Sequence, residues 1–339
     1  QSLNPSCPRK DCNRLPSRGI LAPPMAERPF PRRVHVELTN YCNQRCRYCP
    51  RQEFTRPLGF MDGALFERVA NECAAHGARM WLHFLGEPLL HRQVTDFCRY
   101  AKSAGVVEVG LSTNAVSLHG AVAERLLDSG LDRLECSLDA NDARTYIAMR
   151  GRDHFERVCA NVAEFLALKR ARSARRPVVS LQVLLTPETR SALPGILERW
   201  RPLLDEPDFV MAIEPITFGG RVPIAAELPG ERPPCRWLFE ALIVLQDGTV
   251  VACGTDWDAH APLGNARHES LAAIWTSIEM HRRRAAHLAG RFSDAPLCGA
   301  CTDWPLADGH GYRNVLRPEA NATPGRWKTA RPATMLAHG

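Results

Sequence analysis

Cys42, Cys46 and Cys49 are the residues whose type and spacing most directly point to chemistry. They form a C-x3-C-x2-C set within Tyr41-Cys42-Asn43-Gln44-Arg45-Cys46-Arg47-Tyr48-Cys49. Just before them, Arg33-Val34-His35-Val36-Glu37-Leu38-Thr39 alternates polar and apolar side chains. That period-two pattern reads as a half-buried strand, so the cysteines belong on the loop at its C-terminal end. Three thiolates this close can hold three corners of a cubic iron–sulfur cluster and leave the fourth iron open for a ligand. Structural zinc takes four protein ligands, and no fourth Cys or His follows nearby.

A second set stands far downstream: Cys235, Cys253, Cys298 and Cys301. Leu242 to Leu245 and Thr249 to Ala252 flank the turn Gln246-Asp247-Gly248, a strong hairpin signal that carries Cys253 back toward Cys235. A helix over about 270–288 then leads to Cys298-Gly299-Ala300-Cys301. Four thiolates complete a tetrahedral site, which taken alone suits zinc as well as a fully ligated cluster.

The stretch between the two sets must position both. Asp62 reads as the N-cap of a helix through Cys73. Met80 to Leu85 reads as a strand ending in Gly86-Glu87-Pro88, and Val106 to Leu111 as one ending in Ser112-Thr113-Asn114. Leu131 to Leu138 ends in Asp139, and strands over 178–185 and 209–213 follow, with helices near 92–104, 119–129, 155–168 and 193–203 between them. Repeated strand–helix units predict a parallel sheet with its ligand site at the C-terminal strand ends. Side-chain alternation puts Ser112 with Asn114, and Glu135 with Ser137 and Asp139, on inward faces. Glu108, Gln182, Glu214 and His83 join them as interior candidates, with Glu135 and Glu214 as the expected catalytic or amine-binding carboxylates. The competing expectation is that these acids pair with nearby arginines.

The cysteine triplet, with Tyr48 just before its last member, resembles the signature of radical SAM enzymes. The resemblance implies an α/β fold: a partial (β/α)6 barrel with a small C-terminal auxiliary-cluster domain. It implies that S-adenosylmethionine chelates the open iron and is cleaved by one electron to a 5′-deoxyadenosyl radical that abstracts hydrogen. Gly86-Glu87-Pro88 resembles the family's GGEP element, with Leu85 in place of the first glycine, and implies a contact to the amino group of the cofactor. Ser112, Asn114, Ser137 and Asp139 resemble its ribose- and carboxylate-binding positions, and Arg150 supplies a fork for a carboxylate. The order C-x12-G-x4-C, Leu263-Gly264-Asn265, Ile274-Trp275, then C-x2-C resembles the SPASM/twitch extension. That extension implies an auxiliary [4Fe–4S] cluster, and the cysteines suffice for one, giving two clusters in all.

The implied domains are an irregular extension over 1–30, the barrel over 31–220, the auxiliary domain over 221–310 and an Arg/Pro-rich tail over 311–339. Pro223, Pro229, Pro233 and Pro234 mark the linker, Met25 is a candidate native start, and Cys7 and Cys12 read as bystanders. Hydrophobic residues make up 45% and charged residues 24%, ordinary for a soluble globular protein. No apolar run reaches membrane-spanning length and the opening residues lack a signal-peptide layout, so a cytoplasmic protein without a membrane partner is expected. Thirteen cysteines then point to metal or redox chemistry rather than disulfides. The net charge of +6 concentrates in 169–176, 281–284 and 317–331, without the interleaved aromatics of a nucleic-acid face.

A fully ligated auxiliary cluster can take or give one electron, which fits alcohol oxidation: hydrogen abstraction beside a hydroxyl leaves a reducing ketyl radical. The expected substrate is an amino sugar, aminocyclitol or sugar nucleoside, and the expected electron donor a flavodoxin or ferredoxin. The arrangement resembles twitch dehydrogenases of aminoglycoside antibiotic biosynthesis. Epimerisation and sugar-acid decarboxylation stay open, as does a non-catalytic zinc scaffold. An epimerase needs a hydrogen donor, commonly a thiol, yet Cys73, Cys98, Cys136 and Cys159 read as core residues and Phe218 stands where a donor belongs. Glu214, Asp256, Asp258 and His260 are the candidates for a general base.

Overall fold

The computed structural model describes residues 28–222 and 230–307, with the backbone of two short strands at 314–317 and 328–330. Cys7, Cys12, Met25, Pro223, Pro229 and most of the Arg-rich tail lie outside the described residues. Six parallel strands alternate with helices: β1 (Arg33–Val36), α1 (Gly63–Ala75), β2 (Arg79–Leu82), α2 (Val94–Ser103), β3 (Val109–Thr113), α3 (Gly120–Leu127), β4 (Arg133–Ser137), α4 (Ala143–Arg150), α5 (Phe155–Ala171), β5 (Val178–Leu184), α6 (Pro187–Trp200) and β6 (Phe209–Ile213). They pair in chain order, as short βα connections dictate. Asp62 caps α1 by accepting from the Leu65 amide, as the sequence predicts. The sequence reading misses α4, whose apolar face is only Tyr146 and Met149.

Side-chain alternation decides what each strand offers the interior. On β4, Leu134 and Cys136 join the hydrophobic core under the helices, while Arg133, Glu135 and Ser137 face the other way. Lower in the barrel, the Trp81 ring lies across Gly110, where any Cβ would collide with it. Its indole N–H donates to Ser112 Oγ at 2.9 Å, satisfying a buried donor.

The auxiliary region is joined to the barrel by the sheet itself. After α7 (Trp237–Glu240), β7 (Ala241–Val244) runs parallel to β1, with Arg33 opposite Ala241 and Val36 opposite Val244. It turns into β8 (Thr249–Val251), which pairs antiparallel with it and with β9 (Gly264–Asn265), so the predicted hairpin is present. β10 (Asn314–Arg317) and β11 (Lys328–Ala330) extend the other edge beyond β6. β1 and β6 do not pair with each other, so the barrel stays open. The single predicted helix near 270–288 is two, α8 (Leu271–Trp275) and α9 (Ile278–Leu288), each with its own serine N-cap.

The basic stretches are largely internal brackets. Lys169 meets Asp208 in a buried pair, Arg170 meets Asp205, Arg172 meets Asp128, and Arg176 meets Asp132. Among the described residues no helix is long and apolar enough to cross a membrane.

Candidate functional site

A cavity of about 250 Å3 opens at the C-terminal ends of the strands, where the topology predicts a ligand site. Cys42, Cys46 and Cys49 line it together. Their loop is held from outside by α4: the Arg45 and Arg47 amides donate to the Arg150 and Met149 carbonyls at 3.1 and 2.9 Å. Gly151 ends α4 in the left-handed region, and a Cβ there would collide with the Arg45 carbonyl. Inside, Gln44 donates to the Tyr146 hydroxyl at 2.8 Å, and Asn114 donates to Asn43 Oδ1 at 2.7 Å and approaches Cys42 Sγ at 3.8 Å. Arg150 reaches Cys46 Sγ at 3.6 Å. Burial pushes the Cys42 thiol up to about 11, with Glu87 adding to it, and Cys49 up to about 12. Without a metal these thiols keep their protons; a bound metal displaces them.

Gly86, Glu87, Ser112, Asn114, Ser137, Asp139, Arg150 and Tyr48 all border this cavity, whereas Pro88 does not and starts a short 3-10 turn instead. Glu87 has little carboxylate left for a ligand. Its two oxygens accept from Thr113 Oγ1 at 2.6 Å, the Asn114 amide at 2.7 Å and the Leu89 amide at 3.0 Å. Burial raises its pKa, against those hydrogen bonds. It braces the end of β3 from below the cavity. Asp139 accepts from the Leu184 amide and pairs with Arg150 at 2.5 Å, while Arg150 Nε has no partner. That unpartnered buried donor is what a bound carboxylate would satisfy.

The two expected catalytic carboxylates do not reach the cavity. Glu214 pairs with Arg190 on α6 at 2.7 Å, and Glu108 with Arg133 at 3.1 Å. The arginine-pairing expectation describes both. Glu135 does face the barrel interior, but it sits beneath Ser112, whose hydroxyl donates to it at 2.9 Å. Burial raises the Glu135 pKa from 4.5 to about 7. Between those values the folded chain holds a proton the unfolded chain has released, so its stability falls as pH rises from about 4.5 to about 7. Glu135→Gln removes that term. The melting temperature of the variant, relative to wild type, should therefore climb between pH 5 and pH 8; a difference that does not change with pH would refute the assignment.

Of the remaining base candidates, the two aspartates are also committed. Asp258 accepts from the Thr55 amide and hydroxyl, and Asp256 from the His260 and Ala261 amides. His83 is the residue whose weight the sequence understates: it lines the cavity, burial drops its pKa to about 4, and its Nδ1 has no partner. Gln44 and Met149 also line the cavity, and nothing in the sequence marks them.

The second cysteine set is brought together too. Cys235 feels the charges of Cys253, Cys301 and Cys298, so the four thiols face one another. Burial pushes Cys235 and Cys298 up to about 12 and Cys301 up to about 11. Among the described residues no three Cys, His, Asp or Glu side chains close around a single ion. Three thiols that leave a corner open and four that close a site match the donor sets of two iron–sulfur cubanes. This second set adjoins the cavity: a Cβ on Gly254, next to Cys253, would touch Phe84 and Ile216 of the cavity wall at 3.7 and 3.8 Å. The 215–220 loop, which brings Phe218 to the cavity, is fastened to the same set. Asp303 accepts from the Thr217 and Gly219 amides at 2.6 and 2.8 Å, two residues past Cys301.

The sequence matches the radical SAM superfamily over residues 36–199 and an iron–sulfur cluster-binding domain of the SPASM type over 235–302. The chain carries a radical SAM domain followed by a SPASM domain. These two domains indicate S-adenosylmethionine, a [4Fe–4S] cluster that binds it and an auxiliary [4Fe–4S] cluster. The GTP 3′,8-cyclase of Chlorobaculum tepidum is 31% identical to this chain over 40% of its length, a match that spans 41% of the cyclase. A cofactor-modifying protein for the tungsten-containing aldehyde ferredoxin oxidoreductase of Pyrococcus furiosus is 23% identical over 72% of the chain and 80% of its own length. Among solved structures, BtrN in complex with AdoMet and 2-DOIA shares the fold at a TM-score of 0.56 and 18% identity, over 84% of this chain and 98% of that one. Streptococcus suis SuiB bound to precursor peptide SuiA shares it at 0.62 and 12% identity, over 75% and 66%.

Proposed function

We propose that this radical SAM protein oxidises a carbon bearing a hydroxyl group, on a sugar or aminocyclitol ring, to the ketone in natural-product biosynthesis. The observation that carries this reading is the contact of the Cys253–Gly254 segment with Phe84 and Ile216, which sets the second cysteine set against the wall of the cavity. When bound, S-adenosylmethionine and the clusters supply the radical that removes hydrogen and a sink for the electron left behind.

In this reading Cys42, Cys46 and Cys49 hold the first cluster, and Cys235, Cys253, Cys298 and Cys301 the auxiliary one. Arg150, aligned by Asp139, takes a carboxylate, with Ser112, Asn114 and Ser137 near the ribose. Phe84, Ile216 and Phe218 wall the cavity with apolar surface and keep water from the substrate radical. His83 lines the cavity with an unpartnered Nδ1 and is the side chain placed to pass on the hydroxyl proton. The carboxylates once expected to bind an amine are engaged elsewhere, so recognition rests on neutral groups such as Gln182 and Gln44 and favours hydroxyls over ammonium.

The 2-DOIA held by BtrN, which shares this fold, is a first compound to test. Epimerisation is disfavoured because, among the described residues, the cavity's thiols are those of the first triplet alone. Decarboxylation is disfavoured because, among the described residues, Arg150 is the one arginine lining the cavity, and it faces Asp139. The test is anaerobic incubation of the reconstituted protein with aminocyclitol and aminoglycoside intermediates and, separately, with GTP, read by product mass. Loss of two hydrogens from a cyclitol supports oxidation. Consumption of GTP, unchanged mass with solvent deuterium gained, or loss of carbon dioxide each replaces it with cyclisation, epimerisation or decarboxylation.

A further inference from the structure

Eight large hydrophobic residues are exposed among the described residues, and four of them border the first cysteine loop. On one side Tyr41 (39% exposed), Leu58 (46%) and Phe60 (50%) cluster next to Cys42, with the Tyr41 and Phe60 rings stacked at 5.0 Å. On the other side Ile147 (43%) lies one turn before Gly151, which abuts Arg45. Scattered surface hydrophobics need no explanation, but half of them beside one functional loop do. The charge of the region is positive. Arg45, Arg92 and Arg152 are exposed and make no ion pair among the described residues. Of the nearby acids, Glu188 is taken by Arg47 at 3.2 Å, Asp142 caps α4, and the exposed Asp153 offsets its neighbour Arg152, which leaves Arg45 and Arg92 as the net positive charge.

We propose that this face, Tyr41–Leu58–Phe60 and Ile147 around Arg45, docks a small acidic one-electron carrier of the flavodoxin type. The loop puts exposed residues directly beside thiols of the first set: Tyr41 next to Cys42, and Arg45 and Arg47 on either side of Cys46. A carrier seated here therefore meets the first cluster's ligands through about one residue of protein. An apolar patch in a basic surround suits a brief electron-transfer encounter, which buries little area and is steered by charge. The inference rests on the cofactors of the reading above but not on what the enzyme oxidises.

The experiment compares two reductants on the reconstituted protein without substrate, reading 5′-deoxyadenosine. Phe60→Asp, Ile147→Asp and Arg45→Glu should each lower the rate driven by reduced flavodoxin by about tenfold or more, the scale of a lost interface anchor. With dithionite, which needs no docking face, each should stay within about twofold of wild type. Ile278→Asp, at a 74% exposed position on α9, should leave both rates unchanged. The wild-type flavodoxin rate should also fall as salt is added. Unchanged flavodoxin rates in all three variants would overturn the proposal, and so would parallel loss with both reductants, which marks damage to the loop. Failure to oxidise any cyclitol would leave this result standing and refute only the oxidation.

Discussion

Cys253→Ala should leave cleavage of S-adenosylmethionine within a few-fold of wild type and lower ketone formation by about a hundredfold or more, equivalent to about 2.7 kcal/mol of barrier. The separation follows from where the two cysteine sets sit. Cleavage depends on Cys42, Cys46 and Cys49, whose loop is fixed by α4, Asn43 and Asn114. Cys253 touches none of these; its neighbour Gly254 meets the cavity at Phe84 and Ile216. Iron should fall from about eight to about four atoms per chain, as loss of one cubane requires. Parallel assays of 5′-deoxyadenosine and product mass decide the matter. If the variant oxidises substrate at the wild-type rate, the second set is structural and the electron goes elsewhere. If cleavage is lost equally, the two sites are not separable, and the melting temperature shows whether the fold has failed.

Gly86→Ala should be among the most damaging single substitutions in the barrel, although it adds one methyl group. The new Cβ would fall inside the Thr39 carbonyl, three residues past β1, so backbone must move. That backbone carries Tyr41, whose carbonyl accepts the Glu87 amide at 2.8 Å, and Cys42 follows it. Glu87 in turn ties Thr113 and Asn114 into the cavity floor. Overpacking of this kind costs about 3 kcal/mol or more. For a chain of this size that lowers the melting temperature by at least about 6 °C. Gly63→Ala is the control, because nothing lies within 4 Å of its new methyl. Calorimetry and titration with S-adenosylmethionine should show Gly86→Ala destabilised and weakened in binding, with the control near wild type. Equal melting of the two variants would mean that the turn yields freely.

Two kinds of information separate in this molecule. Local patterns determined the six strands, most of their helices, the inward faces of β3 and β4, the hairpin at Gln246-Asp247-Gly248 and the grouping of the cysteines. Each is set by a short-range rule: alternation, capping, turn chemistry or ligand spacing. Ser112, Asn114, Ser137 and Asp139 could be placed at the cavity because a strand's side chains alternate and a parallel sheet gathers its strand ends.

Partnership across the chain was decided only by the tertiary structure. Alternation aims Glu135 inward but cannot show that Ser112 closes over it, and it cannot show that Glu214 meets Arg190. The pairing of β7 with β1 joins residues more than 200 positions apart, and no local pattern encodes it. The same holds for Asp303 gripping the 215–220 loop, and for a histidine made neutral by what surrounds it. A side chain's type and phase are written beside it in the sequence. Its charge state and its hydrogen bonds depend on neighbours that only folding supplies, because burial and partner charges set both.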